Sequence, residues 1–150
     1  MLPNFTKSGL LPKGVYTCQW GDFLNTFNFN EHRQKLCDGL LAGLAVLHKH
    51  GCRIVYIDGS FVTMKVFPND VDVAFDNANI NWKNFQKHCP EFFDIENGSS
   101  IQLEKYQSHF FACNSFETYF IDFFQFDRNG NPKGIVKLDL DEVFKHDKKR

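Results

Sequence analysis

The sequence predicts one α/β domain of the α+β kind, a small mixed or antiparallel sheet flanked by helices. Three observations lead there. The stretch 31–50 carries apolar residues at helical spacing. The short runs 53–58, 71–75 and 135–140 are rich in β-branched residues and are bounded by turn chemistry. At 150 residues, 43% of them hydrophobic and 18 of them Phe, the chain is long enough to bury one aromatic core.

Residues 1–22 lack clear periodicity, and Pro3, Gly9, Pro12, Gly14 and Gly21 punctuate them. The segment 1–28 reads as an ordered leader or lid rather than a domain of its own. Asn28-Phe29-Asn30-Glu31 fits a capping box, with Asn28 as the cap and Glu31 three residues on. Leu36, Leu40, Leu44 and Leu47, joined by Cys37 and Leu41, then recur at helical spacing to residue 50. His48, Lys49 and His50 suit the negative end of the helix dipole, and Gly51 supplies a stop.

Arg53-Ile54-Val55-Tyr56-Ile57-Asp58 reads as a strand that halts at Gly59-Ser60. A second strand, 71–75, follows a turn around Pro68-Asn69, and the connection is too short for a crossover helix, so the pair is antiparallel. A helix runs through 82–88 and stops before Pro90. Between 91 and 115 the pattern is poor, and only 101–106 suggests a helical turn or two. The aromatic run 119–126 predicts a central strand. Dense turn residues at 128–134 would fold it back on 135–140 as a hairpin. A short helix from about residue 141 closes one domain spanning 1–150, with no repeat and no linker.

Lys and Arg number 17 against 18 Asp and Glu, a net charge of −1. That balance argues against stable nucleic-acid binding and against membrane-surface binding, both of which need a dominant basic field. No run approaches the ~18–20 apolar residues of a membrane span. The five cysteines are an odd count without a C-x-x-C pair, and no basic start with an apolar block opens the chain. Reduced, mostly buried thiols and a cytoplasmic location are expected.

The chemistry concentrates at Gly59-Ser60 and at Asp70-Val71-Asp72-Val73. Strand alternation sends Asp70 and Asp72 to one face and the valines to the other. Two carboxylates so placed repel each other unless a cation or hydrogen-bond donors satisfy them. Hard divalent cations use such oxygen ligands together with substrate phosphates. Gly59 lets a phosphate chain approach the backbone, and Ser60 offers its hydroxyl and N–H. Asp122, an isolated acid in an aromatic run, is the candidate third carboxylate. The plainer alternative is an acid pair facing water at a sheet edge, with Asp122 pointing outward.

At these residues the chain resembles the nucleotidyltransferase superfamily related to DNA polymerase β. That family sets Gly-Ser at a strand end, an Asp-x-Asp pair on the next strand and a third acid on a later one. The longer runs 55–63, 68–73, 123–128 and 133–136 resemble a group of small bacterial nucleotidyltransferase-like proteins. The resemblance implies two Mg²⁺ ions, with Mn²⁺ as a substitute, held by Asp70, Asp72 and Asp122 as catalytic ligands. It implies a nucleoside triphosphate gripped by Gly59 and Ser60, with Lys65, Arg128 or Lys133 neutralising phosphate. Each of these three cations reads first as a solvated surface charge, the usual place of a turn-region Lys or Arg. The expected reaction moves a nucleoside monophosphate to a hydroxyl-bearing acceptor. Small members of the superfamily occur in toxin–antitoxin and defence pairs, where a partner protein is the acceptor. The alternatives are a binding module without chemistry and a metal-dependent phosphohydrolase.

Other motifs are weaker. A calcium loop starting at Asp70 lacks Gly at its sixth place and Glu at its twelfth. The six histidines show no zinc spacing, and ordinary surface or core roles are expected for them. The Phe run at 116–126 is expected in the core.

Overall fold

The computed structural model describes residues 2–93, 100–114, 125–126 and 129–145. Strand β1 (Gly14–Thr17) leads into helix α1 (Trp20–Phe27) and the long helix α2 (Glu31–Lys49). Strands β2 (Ile54–Asp58) and β3 (Val71–Asp76) follow, then α3 (Trp82–His88) and α4 (Ser100–Tyr106). Strand β4 (Ser108–Cys113), strand β5 (Gly134–Asp139) and the one-turn helix α5 (Leu140–Val143) complete the described order. The sheet runs β1-β5-β2-β3-β4, with β2 antiparallel to both neighbours and the two outer pairs parallel. It is a mixed α+β fold.

One sheet face carries Val55, Ile57, Val71, Val73, Phe75, Phe110, Val136 and Leu138, all buried. Leu36, Leu40, Leu44 and Leu47 of α2 pack against it with Phe23 and Phe27 of α1 in one cluster. Aliphatic burial at this scale is worth roughly 1.5–3 kcal/mol per large side chain, which makes the α2 stripe the main support of the sheet. Gly39 and Gly43 let α2 press close. A Cβ on Gly39 would meet the Tyr106 backbone carbonyl, and one on Gly43 would meet the Phe110 ring.

The predicted helix 31–50 and the antiparallel 53–58/71–75 pair are present as expected. Three expectations change. The cap of α2 is Asn30, not Asn28: Asn30 Oδ1 accepts from Arg33 N–H at 2.8 Å, while Asn28 ends α1 and donates through Nδ2 to Gln34. The leader 1–28 contributes β1 and α1 to the domain: β1 pairs with β5, and the N–H of Trp20 at the start of α1 donates to Glu142 at 2.7 Å. The expected hairpin partner of β5 lies, up to residue 124, outside the described residues. Within them β5 is paired on both sides, by β1 and by β2, along Val136 and Lys137. At the turn before β5, Lys133 N–H donates to Gln125 O and Phe126 bridges Pro132.

The poorly patterned region 91–115 holds α4 and β4. Gln102 ties them together by accepting the N–H of Phe110 at 2.7 Å, so a buried amide completes part of β4's outer backbone. All five cysteines are buried and none is in a disulfide. No helix among the described residues is long and apolar enough to cross a membrane.

Candidate functional site

Cross-strand register assembles the site. Asp58 at the end of β2 stands opposite Asp72 in β3, and Asp72 stands opposite His109 in β4. Lateral neighbours in a sheet share a face, so these three side chains line one row on the face away from α2. Asp70, two residues before Asp72, joins the row's outer end, and His109 Nε2 lies 3.3 Å from Asp70 Oδ2. Ligand atoms of Asp70, Asp72 and His109 all fall within 4.8 Å of one another.

The carboxylates are crowded. Asp58 is buried and is held by Lys133, whose Nζ donates to Asp58 Oδ1 at 2.6 Å. Lys133 is therefore a buried, ion-paired cation and not a solvated surface charge. Among the described residues Asp72 has no such dedicated partner. Burial, then the nearby Asp70 and Asp58, push its carboxyl up to about 6, and His109 and Lys133 only partly oppose them. Such a group favours the fold while it is protonated. Its unfolded value is 3.8, so its contribution is full below about pH 4 and is lost as pH rises through 6. In metal-free protein, the urea midpoint of Asp72→Asn relative to the parent should rise steadily from pH 4 to pH 7. A flat difference would show that Asp72 is not strained by its neighbours.

Gly59 makes the bend. Its φ is +79°, and a Cβ there would overlap the Asp72 carboxylate, so conformation and space both require glycine. Ser60 opens a short 3-10 turn, Ser60–Val62, beside it. A cavity of about 630 Å³ opens over the three acids, lined by Asp58, Gly59, Ser60, Asp70, Asp72 and Lys133 among others. That is the size of a small-molecule site. Lys65 and Thr63 contribute from the loop after Ser60, and Leu10 from the N-terminal segment, where it bridges Thr63.

The loop is fixed from behind by Arg33, which is fully buried on α2. Its guanidinium donates to the carbonyls of Phe27, Phe61, Thr63 and Lys65 at 2.6–3.1 Å and lies over the Phe29 and Phe61 rings. Asn30 and His32 add bonds to the carbonyls of Val66 and Pro68. One helix turn thus holds most of the segment between Gly59 and Asp70.

Of the residues expected at the site, Gly59, Ser60, Lys65, Asp70 and Asp72 come together around the cavity. Asp122 and Arg128 lie outside the described residues. Asp58 and His109 were not anticipated. Asp58 carries a local signal, an acid ending an otherwise apolar strand on the alternation of Ile54 and Tyr56. His109 carries none, because its neighbour in space is 37 residues away in sequence. Phe126 is not core: it is 41% exposed and lines the cavity.

The donor set suits a divalent cation. Two carboxylates at i and i+2, one without a cationic partner of its own among the described residues, form an anionic pocket that a cation relieves. No curated protein and no solved structure matches the chain. A family model described as a family of unknown function, DUF6932, matches residues 3–139, and the chain belongs to that family.

Proposed function

We propose that the chain is a divalent-cation-dependent nucleotidyltransferase that moves a nucleoside monophosphate from a triphosphate to a hydroxyl-bearing acceptor. The observation that carries this reading is the Asp70/Asp72 pair packed against the Gly59 bend on the wall of a cavity that also holds Lys133. Asp70 and Asp72 would hold Mg²⁺ or Mn²⁺, with Asp122 as the third acid that the family resemblance implies. The cation supplies charge neutralisation on the phosphates and acidifies the acceptor hydroxyl.

The chain's own groups do the rest. Gly59 leaves the backbone open beside the acids, so phosphate oxygens reach the N–H groups at the start of the Ser60 turn. Ser60 donates its hydroxyl to the same oxygens. Lys133, buried and steadied by Asp58, and Lys65, exposed on the loop, both offer positive charge from the cavity lining. Met64, Val66 and Phe67 stand exposed on the adjoining loop, which favours a protein acceptor over a small polar one. The five buried thiols suit a reducing cytoplasm.

Product analysis tests the reading. The protein is incubated with α-labelled and γ-labelled nucleoside triphosphates, Mg²⁺ or Mn²⁺, and cell extract as acceptor source. The α label should become attached to an acceptor as pyrophosphate is released. Free monophosphate would instead indicate a hydrolase, and bound but unchanged triphosphate a binding module.

A further inference from the structure

We infer that His109 is a metal ligand, completing with Asp70 and Asp72 a site of two carboxylates and one imidazole that takes a first-row transition cation in preference to Mg²⁺. The inference rests on the proposed reading only in that the acid pair holds a cation.

Three observations lead to it. The parallel β3–β4 register sets His109 directly beside Asp72 on the same face, so its imidazole is delivered to the acids by the sheet. Ligands at about 2.1 Å from an octahedral ion stand about 3 Å apart when adjacent and about 4.2 Å when opposite. The 3.3 Å between Asp70 Oδ2 and His109 Nε2, and the 4.8 Å limit on the whole trio, match that spacing with only a small contraction. Asp58, the other acid in the row, is engaged by Lys133. Among the described residues the third donor beside the pair is therefore nitrogen, and it is the one group of three or more His, Cys, Asp or Glu there that could hold a metal.

Chemistry then sets the preference. Mg²⁺ takes oxygen ligands and keeps much of its water, gaining little from an imidazole. Mn²⁺, Fe²⁺ and Co²⁺ accept carboxylate and imidazole together. A ring nitrogen held 3.3 Å from a carboxylate oxygen is a selectivity element for that class.

The test uses the tag-free chain of residues 1–150 and Mn²⁺ as probe, without nucleotide. Mn²⁺ binding is followed by loss of the free-ion electron paramagnetic resonance signal, and Mg²⁺ by competition. Electron spin-echo modulation of bound Mn²⁺ reports directly coordinated ¹⁴N. The parent should bind Mn²⁺ at least about tenfold more tightly than Mg²⁺ and show imidazole ¹⁴N coupling. His109→Gln should abolish the coupling and weaken Mn²⁺ by about tenfold or more, while Mg²⁺ changes by less than about threefold. His109→Asp should strengthen Mg²⁺ binding above the parent's and narrow the preference. The modulation experiment on the parent needs no variant to fold. Mn²⁺ that binds through Asp70 and Asp72 without ¹⁴N coupling would overturn the inference and leave the cation-dependent reading standing. Absence of any binding that depends on Asp70 and Asp72 would overturn both.

Discussion

Replacing Asp70 and Asp72 together by Asn is expected to abolish nucleotidyl transfer and, in metal-free protein at neutral pH, to raise stability. The two effects share a cause. The carboxylates lie side by side, and burial with like charge pushes Asp72 up to about 6. Two neutral amides of nearly the same shape remove that repulsion, so the urea midpoint above pH 6 should increase. Catalysis moves the other way, because cation stabilisation of a phosphoryl transition state is worth several kcal/mol, and each 1.4 kcal/mol is about tenfold in rate. A fall of about a thousandfold or more is expected. Loss of activity together with a lower midpoint would mean that the acids serve the fold rather than the chemistry.

Arg33→Met should be the most destabilising single change in the described chain, by about 3–5 kcal/mol in urea unfolding. The guanidinium is fully buried and answers four backbone carbonyls from two segments. Burial lowers its value to about 10, still far above neutrality, so the group stays charged and its charge is met by carbonyl dipoles and two ring faces. Methionine fills part of the space and leaves those carbonyls without their donor, at about 1–3 kcal/mol for each buried one. Arg33→Lys keeps the charge but has three donors on one atom, which cannot reach acceptors spread around a planar fork. It should recover only part of the loss. Limited proteolysis between residues 62 and 68 should accelerate in both variants, since this loop is what the guanidinium holds. Unchanged cleavage there would show that Arg33 supports the helix alone.

The parts of the fold legible in the sequence are those whose periodicity serves one buried face. The α2 stripe from Leu36 to Leu47 and the alternation in β2 and β3 are of that kind. β1 escaped notice because it is a four-residue edge strand that begins at Gly14 and leaves Val15 and Thr17 exposed. α4 shows only as the helical turn or two expected at 101–106, and β4 not at all, because Gln102 and Ser108 occupy buried positions where an apolar residue would mark the pattern. Both are satisfied by hydrogen bonds that only the folded chain reveals, Gln102 to Phe110 and Ser108 to the carbonyl of Tyr106.

The site divides in the same way. Gly59, Ser60, Asp70 and Asp72 are local in sequence, and alternation alone puts the acids on one face. His109 and Lys133 reach them through register, which depends on strand order rather than on any spacing. Arg33 did leave a trace: it continues the Leu36, Leu40, Leu44 stripe toward the N-terminus of α2, and a charge on an apolar stripe marks either a buried partner or a misplaced helix.

Equilibrium binding of a nucleoside triphosphate with a non-cleavable α,β linkage tests the central claim most directly. Binding should require Mn²⁺ or Mg²⁺ and should disappear when Asp70 and Asp72 are replaced by Asn in protein that remains folded. Triphosphate binding that persists without a divalent cation, or that survives the loss of both carboxylates, would contradict it.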